Sequence, residues 1–247
     1  MSQQAIYLAM SGLTATMDRM TAATNNLANA NTTGFKAQQP EFQALPYFGQ
    51  GLPDRVDVIS TESTADFRPG PIEQTGRSLD VAVNGSGWIA VQGTDGSPAL
   101  TRNGALSISP NGVLETSAGN PVLGNGGAPI TLPPLQNVTI GEDGTISGTP
   151  LGQPATEITT LDRIFLANPQ TRSLRRRSDG LFEDQTGEPI ADASVKLQVG
   201  VLEGSNANPV AIMMSMIENA RMFQMQTELV HLTVTQGQGQ SSPLTLS

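Results

Sequence analysis

At both ends of this chain apolar residues recur in alternating steps of four and three, and few charges accompany them. The N-terminal series is Ile6, Met10, Leu13, Met17, Met20 and Leu27, with Thr24 interrupting it. The C-terminal series is Met213, Met216, Ala220, Phe223, Val230 and Val234, with Thr227 in register and Ile212, Met222, Met225, Leu229 and Leu232 widening the stripe. Heptad spacing of this kind predicts helices that pair side by side. From Gln3 to Asn31 there is no Pro, Gly12 is the only Gly, and Asp18 and Arg19 are the only charged residues. A helix that faces water on one side normally carries charge there. Here Ser, Thr, Gln and Asn take that place, and another protein surface covers them at lower cost than charge. The two helices are therefore expected to close the chain on itself and then pack within an oligomer. Helices this poor in ion pairs draw most of their stability from packing.

Local signals set their limits. Gly34 is the expected stop of the first helix. Asn208-Pro209 supplies a cap and a first-turn Pro for the second, and Gly237-Gln238-Gly239 is its expected end. Between the helices the texture changes. Leu79–Val83, Trp88–Val91, Leu100–Arg102, Leu106–Ile108, Val113–Glu115 and Pro121–Leu123 are short apolar or alternating runs. Val138–Ile140, Thr145–Ser147, Ile164–Ala167 and Val195–Leu202 continue the series. Asn84-Gly85, Asp95-Gly96, Asn103-Gly104, Asn111-Gly112, Asp143-Gly144 and Asp179-Gly180 punctuate them, and such dipeptides are strong hairpin signals. The fold class is therefore mixed and mainly β. An antiparallel β domain, residues 76–205, is flanked by terminal helices (1–34 with 206–247) that pair as a coiled-coil-like assembly domain. The Pro-interrupted stretch 35–75 reads as an extended connector.

Chemistry finds little support. The chain has no cysteine and one histidine, so thiolate or zinc chemistry has no ligand set. No metal ligands, cofactor-binding residues or catalytic residues are expected. Gly85-Ser86-Gly87-Trp88-Ile89-Ala90 fits a loose dinucleotide fingerprint, but the required helix is missing after it. Its glycines read as a tight hairpin. His231 lacks catalytic company. Glu142/Asp143 and Glu183/Asp184 read as turn residues without calcium-loop spacing. Arg175-Arg176-Arg177 reads as a solvated hairpin tip or as a dock for an acidic neighbour. A net charge of −9 opposes nucleic acid as a partner. No apolar run approaches the roughly 20 residues that span a bilayer, and Met1–Ala5 does not resemble a cleavable leader. One Trp and two Tyr leave a secreted β-rich binding or adhesive module, the reading from another class, with little to bind through.

Asn25-Asn26-Leu27-Ala28-Asn29, followed by Thr33-Gly34-Phe35-Lys36, resembles the N-terminal hallmark of flagellar basal-body rod and hook proteins. Gly76–Val83 with Gly87–Val91, Thr101–Gly104, Pro121–Gly124 and Glu203–Asn206 resemble later blocks of the same family, so the similarity spans nearly the whole chain. It implies a structural subunit of the proximal rod, the periplasmic drive shaft between motor and hook. A distal rod or hook-type axial protein is the alternative. The resemblance also implies partners: other rod proteins, copies of the chain itself, and the flagellar type III export apparatus, which it would leave without signal cleavage. Terminal helices would form the inner tube. The Gly-, Gln- and Ser-rich tail from Gln236 to Ser247 departs from the family pattern.

Overall fold

The computed structural model describes residues 2–46, 56–60, 64–153, 158–187 and 189–239. It divides into two compact units. One comprises Met1–Ala28, Gln38–Thr64 and Asn208–Ser247; the other comprises Asn29–Ala37 and Ala65–Ala207.

The first unit is built on helices α1 (Ser2–Ala28) and α2 (Pro209–Gly239), which pack on each other. Asn208 caps α2 as its sequence suggests: its side-chain oxygen accepts the amides of Val210 and Ala211 at 3.0 and 3.2 Å. The buried stripe of α1 is made of small residues, Ala15, Thr16, Ala22, Ala23 and Asn26. The Thr16 hydroxyl lies 3.0 Å from Gln226 Oε1 on α2 and 2.9 Å from the Gly12 carbonyl. A Cβ on Gly12 would come within 3.3 Å of the Gln226 amide, so the small stripe lets the helices approach closely. Part of the stretch read as a connector belongs to this unit. Phe42–Pro46 and Val56–Ser60 form an antiparallel pair running from Phe42↔Ser60 to Pro46↔Val56. The unit boundaries fall near residues 28, 37, 64 and 207, and two of them, 37 and 64, lie inside the expected 35–75 connector.

The second unit is antiparallel β. Its largest sheet orders Leu166–Ala167, Trp88–Gln92, Pro98–Thr101, Phe182–Asp184 and Leu174–Arg176. A three-stranded sheet joins Leu135–Ile140, Thr145–Pro150 and Thr159–Arg163. Val81–Asn84 pairs with Lys196–Val199, Ile72–Gln74 with Val201–Glu203, and Leu106–Ile108 with Leu114–Thr116. Alternation along Trp88–Gln92 feeds two cores. Ile89 and Val91 join Leu106, Leu114, Val122, Ile146 and Ile164 on one side. Trp88 and Ala90 join Leu100, Leu123, Ala167 and Phe182 on the other. Being buried on both faces, the strand reads as an unbroken apolar run.

Four of the six Gly dipeptides close hairpins as expected: Asp95-Gly96, Asn111-Gly112, Asp143-Gly144 and Asp179-Gly180, each Gly at positive φ. Others do different work. Gly85-Ser86-Gly87 is not a hairpin, because the strands on either side of it belong to different sheets. It is a corner, and a Cβ on Gly87 would meet the Val195 side chain at 2.6 Å. The run Val195–Leu202 breaks into two strands at Gly200, whose φ is +77°. Helix α1 ends at Ala28, before Gly34, because a turn from the Asn29 carbonyl to the Thr32 amide, 3.1 Å, takes the chain off the helical path. At Gly104 a Cβ would sit 1.7 Å from the Val81 carbonyl oxygen. Gly104→Ala must therefore push its segment away from the buried strand Val81–Asn84. A loss of about 3 kcal/mol or more in chemical denaturation is expected, against near-neutrality for Gly126→Ala, which meets nothing within 4 Å.

Candidate functional site

The chain crosses into or out of the β unit four times, and residues near three of those crossings gather around one carboxylate. Glu203, at the end of strand Val201–Glu203, is 1 % exposed. Its Oε1 accepts Lys36 Nζ at 2.6 Å and the Gly70 amide at 3.0 Å, while Oε2 accepts Arg102 Nη1 at 3.0 Å. Lys36 is as deeply buried as its partner, and its Nζ also donates to the Arg68 carbonyl at 2.9 Å.

Neighbouring backbone completes the clamp. The Gly34 amide donates to the Glu203 carbonyl at 2.7 Å, and the Asn206 amide to the Phe35 carbonyl at 3.3 Å. Asn206 Oδ1 accepts the Ala37 amide at 2.6 Å, and its Nδ2 donates to the carbonyls of Asp66 and Arg68 at 2.7 and 3.0 Å. Gly34 is required twice over: its φ is +70°, and a Cβ would lie 2.3 Å from the Arg102 carbonyl carbon. Gly70 is fixed in the same way, with Gly204 O only 2.0 Å from where its Cβ would be.

Burial opposes ionisation of Glu203. Hydrogen bonds from Lys36 and the Gly70 amide, with the charges of Lys36 and Arg102, more than offset this and hold its carboxyl below the ordinary value of 4.5. Burial is also the main influence on Lys36 and lowers its pKa, with the Glu203 carboxylate acting against it. Both shifts run downward because Glu203 has two cations and an amide, whereas Lys36 answers one carboxylate and feels Arg102 as a like charge.

Arg176 corrects the reading of the basic run. It is no solvated tip: Leu174–Arg176 is a strand, and the Arg176 guanidinium lies between the Phe35 and Phe182 rings, 4.8 and 5.0 Å from their centroids. Its Nη2 donates to the Lys36 carbonyl, and burial pushes its pKa down to about 10. Arg177 pairs with Asp95 at 2.8 Å and Asp179 at 3.3 Å.

The family-motif residues divide between the units. In the helical unit, Asn26 is buried, and its side chain accepts the Gln38 amide at 2.7 Å and donates to the Gln38 carbonyl at 2.8 Å, copying a β-bridge. Leu27 is half-buried, while Asn25 and Ala28 are exposed. In the β unit, Asn29 and Thr33 are half-buried beside the turn, and Gly34 and Phe35 enter the clamp. Along the expected seam, Leu13, Met20, Met216, Ala220, Phe223 and Val230 are half-buried, whereas Met10, Met17 and Met213 are exposed. Ile6 and Val234 lie outside the residues whose side chains are described, as does the tail from Gln240. Among the clamp residues, Lys36, Arg102, Glu203 and Asn206 stand in the sequence only as parts of family-like blocks, and Arg176 only as part of the basic run. Lys36, Arg102 and Glu203 each sit in a different motif block, a coincidence that could have suggested the charge cluster.

The site thus locks the β unit near its chain crossings, and the helical unit carries many exposed large apolar side chains. Comparison with known proteins supplies the family. Residues 6–36 match the family described as "Flagella basal body rod protein", residues 82–148 the "Flagellar hook protein FlgE/F/G D1 domain", and residues 198–232 the "Flagellar basal body rod FlgEFG protein C-terminal". The chain is 39 % identical to the flagellar basal-body rod protein FlgF of Salmonella typhimurium, covering 97 % of both. It is 40 % identical to FlgF of Escherichia coli over 92 % of both, and 30 % identical to FlgG of Buchnera aphidicola over 92 % of this chain and 94 % of that protein. The chain belongs to the flagellar basal-body rod protein family. Within it, the chain is most like FlgF.

Glu203→Gln leaves two buried cations without their carboxylate, so a loss of about 3–5 kcal/mol is expected in chemical denaturation at neutral pH. The pH dependence has a definite sign. Because the folded-state pKa lies below 4.5, this stabilisation is present above that value and falls away as pH drops through the folded pKa. Denaturation midpoints measured from pH 6 to pH 3 should show that step in the parent chain and lack it in Glu203→Gln.

Proposed function

We propose that the chain is a structural subunit of the flagellar basal-body rod, in its proximal part, assembling with other rod proteins and with copies of itself. The observation that carries this reading is the outer surface of the helix pair. Met10 and Met17 on α1 are 55 % and 54 % exposed, and Met214, Ile217, Met225 and Leu229 on α2 are 56–61 % exposed. Monomeric proteins seldom leave so many large apolar side chains in water, and such surfaces mark contacts with other proteins. Met10 and Met17 are one heptad apart, with Leu13 and Met20 half-buried between and after them. In the assembled rod this row, with its counterpart on α2, forms the coiled-coil-like seam. Torque then passes from motor to hook through the stacked subunits. The type III export apparatus delivers the chain, and no catalytic residue takes part. The FlgG relative keeps a distal-rod position as the second reading.

Replacing Met17 by Asp tests the seam without disturbing the single chain, because that side chain is already exposed. Burying an unpaired carboxylate between subunits costs several kcal/mol, so roughly a hundredfold or greater loss of incorporation is expected. The measurement is the amount of tagged subunit in purified basal bodies and its position in their images. Normal incorporation of Met17→Asp, or a tag lying outside the rod, would overturn the reading.

A further inference from the structure

The chain has nine methionines and no cysteine, so every sulfur it carries is a thioether. Their distribution is uneven. Met1, Met10, Met17 and Met20 open the sequence, Met213, Met214, Met216, Met222 and Met225 stand near its end, and residues 21–212 contain none. All of them therefore belong to the helical unit. Met10, Met17, Met214 and Met225 are 54–61 % exposed, whereas Met20 and Met216 are half-buried. The spacings from Met10 to Met17 and from Met214 to Met225 are close to two and three whole turns, so each pair shares a face of its helix.

The contacts that hold the chain together contain no sulfur. The stripe that α1 buries is Ala15, Thr16, Ala22, Ala23 and Asn26, and the lock of the β unit is Lys36, Arg102, Glu203 and Asn206. A thioether has no proton to lose before it reacts, so access to the sulfur decides which methionine an oxidant reaches first. The reactive sulfurs and the surface left open to partners are thus the same side chains.

We propose that Met10, Met17, Met214 and Met225 are modification sites for hydrogen peroxide, and that their sulfoxides keep the free subunit out of the assembly. Peroxide gives one oxygen to the thioether: its O–O bond breaks, an S–O bond forms, the sulfur loses two electrons, and the second oxygen leaves as water. An apolar side chain becomes polar and chiral. Covering that dipole with a neighbour's apolar surface opposes association, while the sulfur-free contacts within the subunit are unchanged. A methionine sulfoxide reductase reverses the step: its two thiols become a disulfide, the thioether is restored and the oxygen leaves as water. The effect on assembly rests on the rod-subunit reading; the order in which the sulfurs react does not.

Peptide mass spectrometry of the full-length free chain, over a time course in dilute hydrogen peroxide, tests the sites. Met10, Met17, Met214 and Met225 should each gain one oxygen several-fold faster than Met20 and Met216. Trp88 is the only tryptophan and is buried in the β unit, so its fluorescence follows unfolding in denaturant, and the midpoint should not move on oxidation. The consequence is tested in cells, with the parent and a chain carrying Met10→Leu, Met17→Leu, Met214→Leu and Met225→Leu. The readout is a ratio, tagged subunit in basal bodies assembled with peroxide over that without, so a changed basal level in the leucine chain does not enter. The ratio should fall about tenfold in the parent, as expected for one buried polar group without a partner, and stay several-fold higher in the leucine chain. Oxidation of Met20 or Met216 at the same rate, a lowered midpoint in the oxidised chain, or equal ratios in the two chains would each overturn the proposal. A parent chain missing from untreated basal bodies removes the functional reading instead, and leaves the order of sulfur oxidation standing.

Discussion

Placing Glu203 out of water is costly, and the β unit is arranged around meeting that cost. A buried carboxylate is tolerated only when its lone pairs are filled by donors and its charge is answered. Here the donors come from three separated parts of the chain: Lys36, Gly70 and Arg102. Apolar residues of the same size would often stabilise a fold as well or better, so stability alone is a poor reason for the cluster. Specificity is a better one. Lys36 and Glu203 are 167 residues apart, and only one mutual placement of their segments satisfies both. A slipped strand would leave an ion unpaired in the interior.

The helical unit follows the opposite rule. Its internal contact uses alanines, Thr16 and Asn26, which specify close approach but bury little apolar area. Many of its large apolar side chains, methionines such as Met10, Met17, Met214 and Met225 among them, are left exposed. Methionine is flexible and polarisable and adapts to varied surfaces, which suits a surface covered by other rod proteins. The two units thus separate two tasks, one defining a single register and the other remaining open to partners.

How much of this was legible in the sequence depended on range. Hairpins at Asp95-Gly96 and Asp143-Gly144 could be read because turn chemistry and strand alternation lie within a few residues. The α2 cap at Asn208-Pro209 was equally local. The heptads were legible as periodicity, but which face the chain buries itself was not, because alanine and threonine carry almost no hydropathic signal. The pair Phe42–Pro46 and Val56–Ser60 was read as connector because prolines dominate its surroundings. Gly34 looked like a helix stop; its actual constraint is the backbone of Arg102, 68 residues away. The clamp was illegible for the same reason. Nothing in the vicinity of Lys36 marks it as buried until Glu203 is brought beside it.

Several of the blocks that carry the family resemblance meet in one place in the β unit. Gly34-Phe35-Lys36, Arg102 and Glu203–Asn206 are the pieces of a single lock, so each block is intelligible only with the others present. Residues 34–37, 66–70 and 203–206 each lie close to a point where the chain passes between units. With those segments free, each would stretch separately and the crossings would yield in turn. With the carboxylate of Glu203 and the amides of Asn206 tying residues 34–37 and 66–70 to 203–206, pulling on one segment must displace the others. The hydrogen bonds are then loaded together rather than one after another. Because the ionic members are also buried, solvent cannot replace them stepwise as they open. Within the β unit those segments therefore hold one mutual placement.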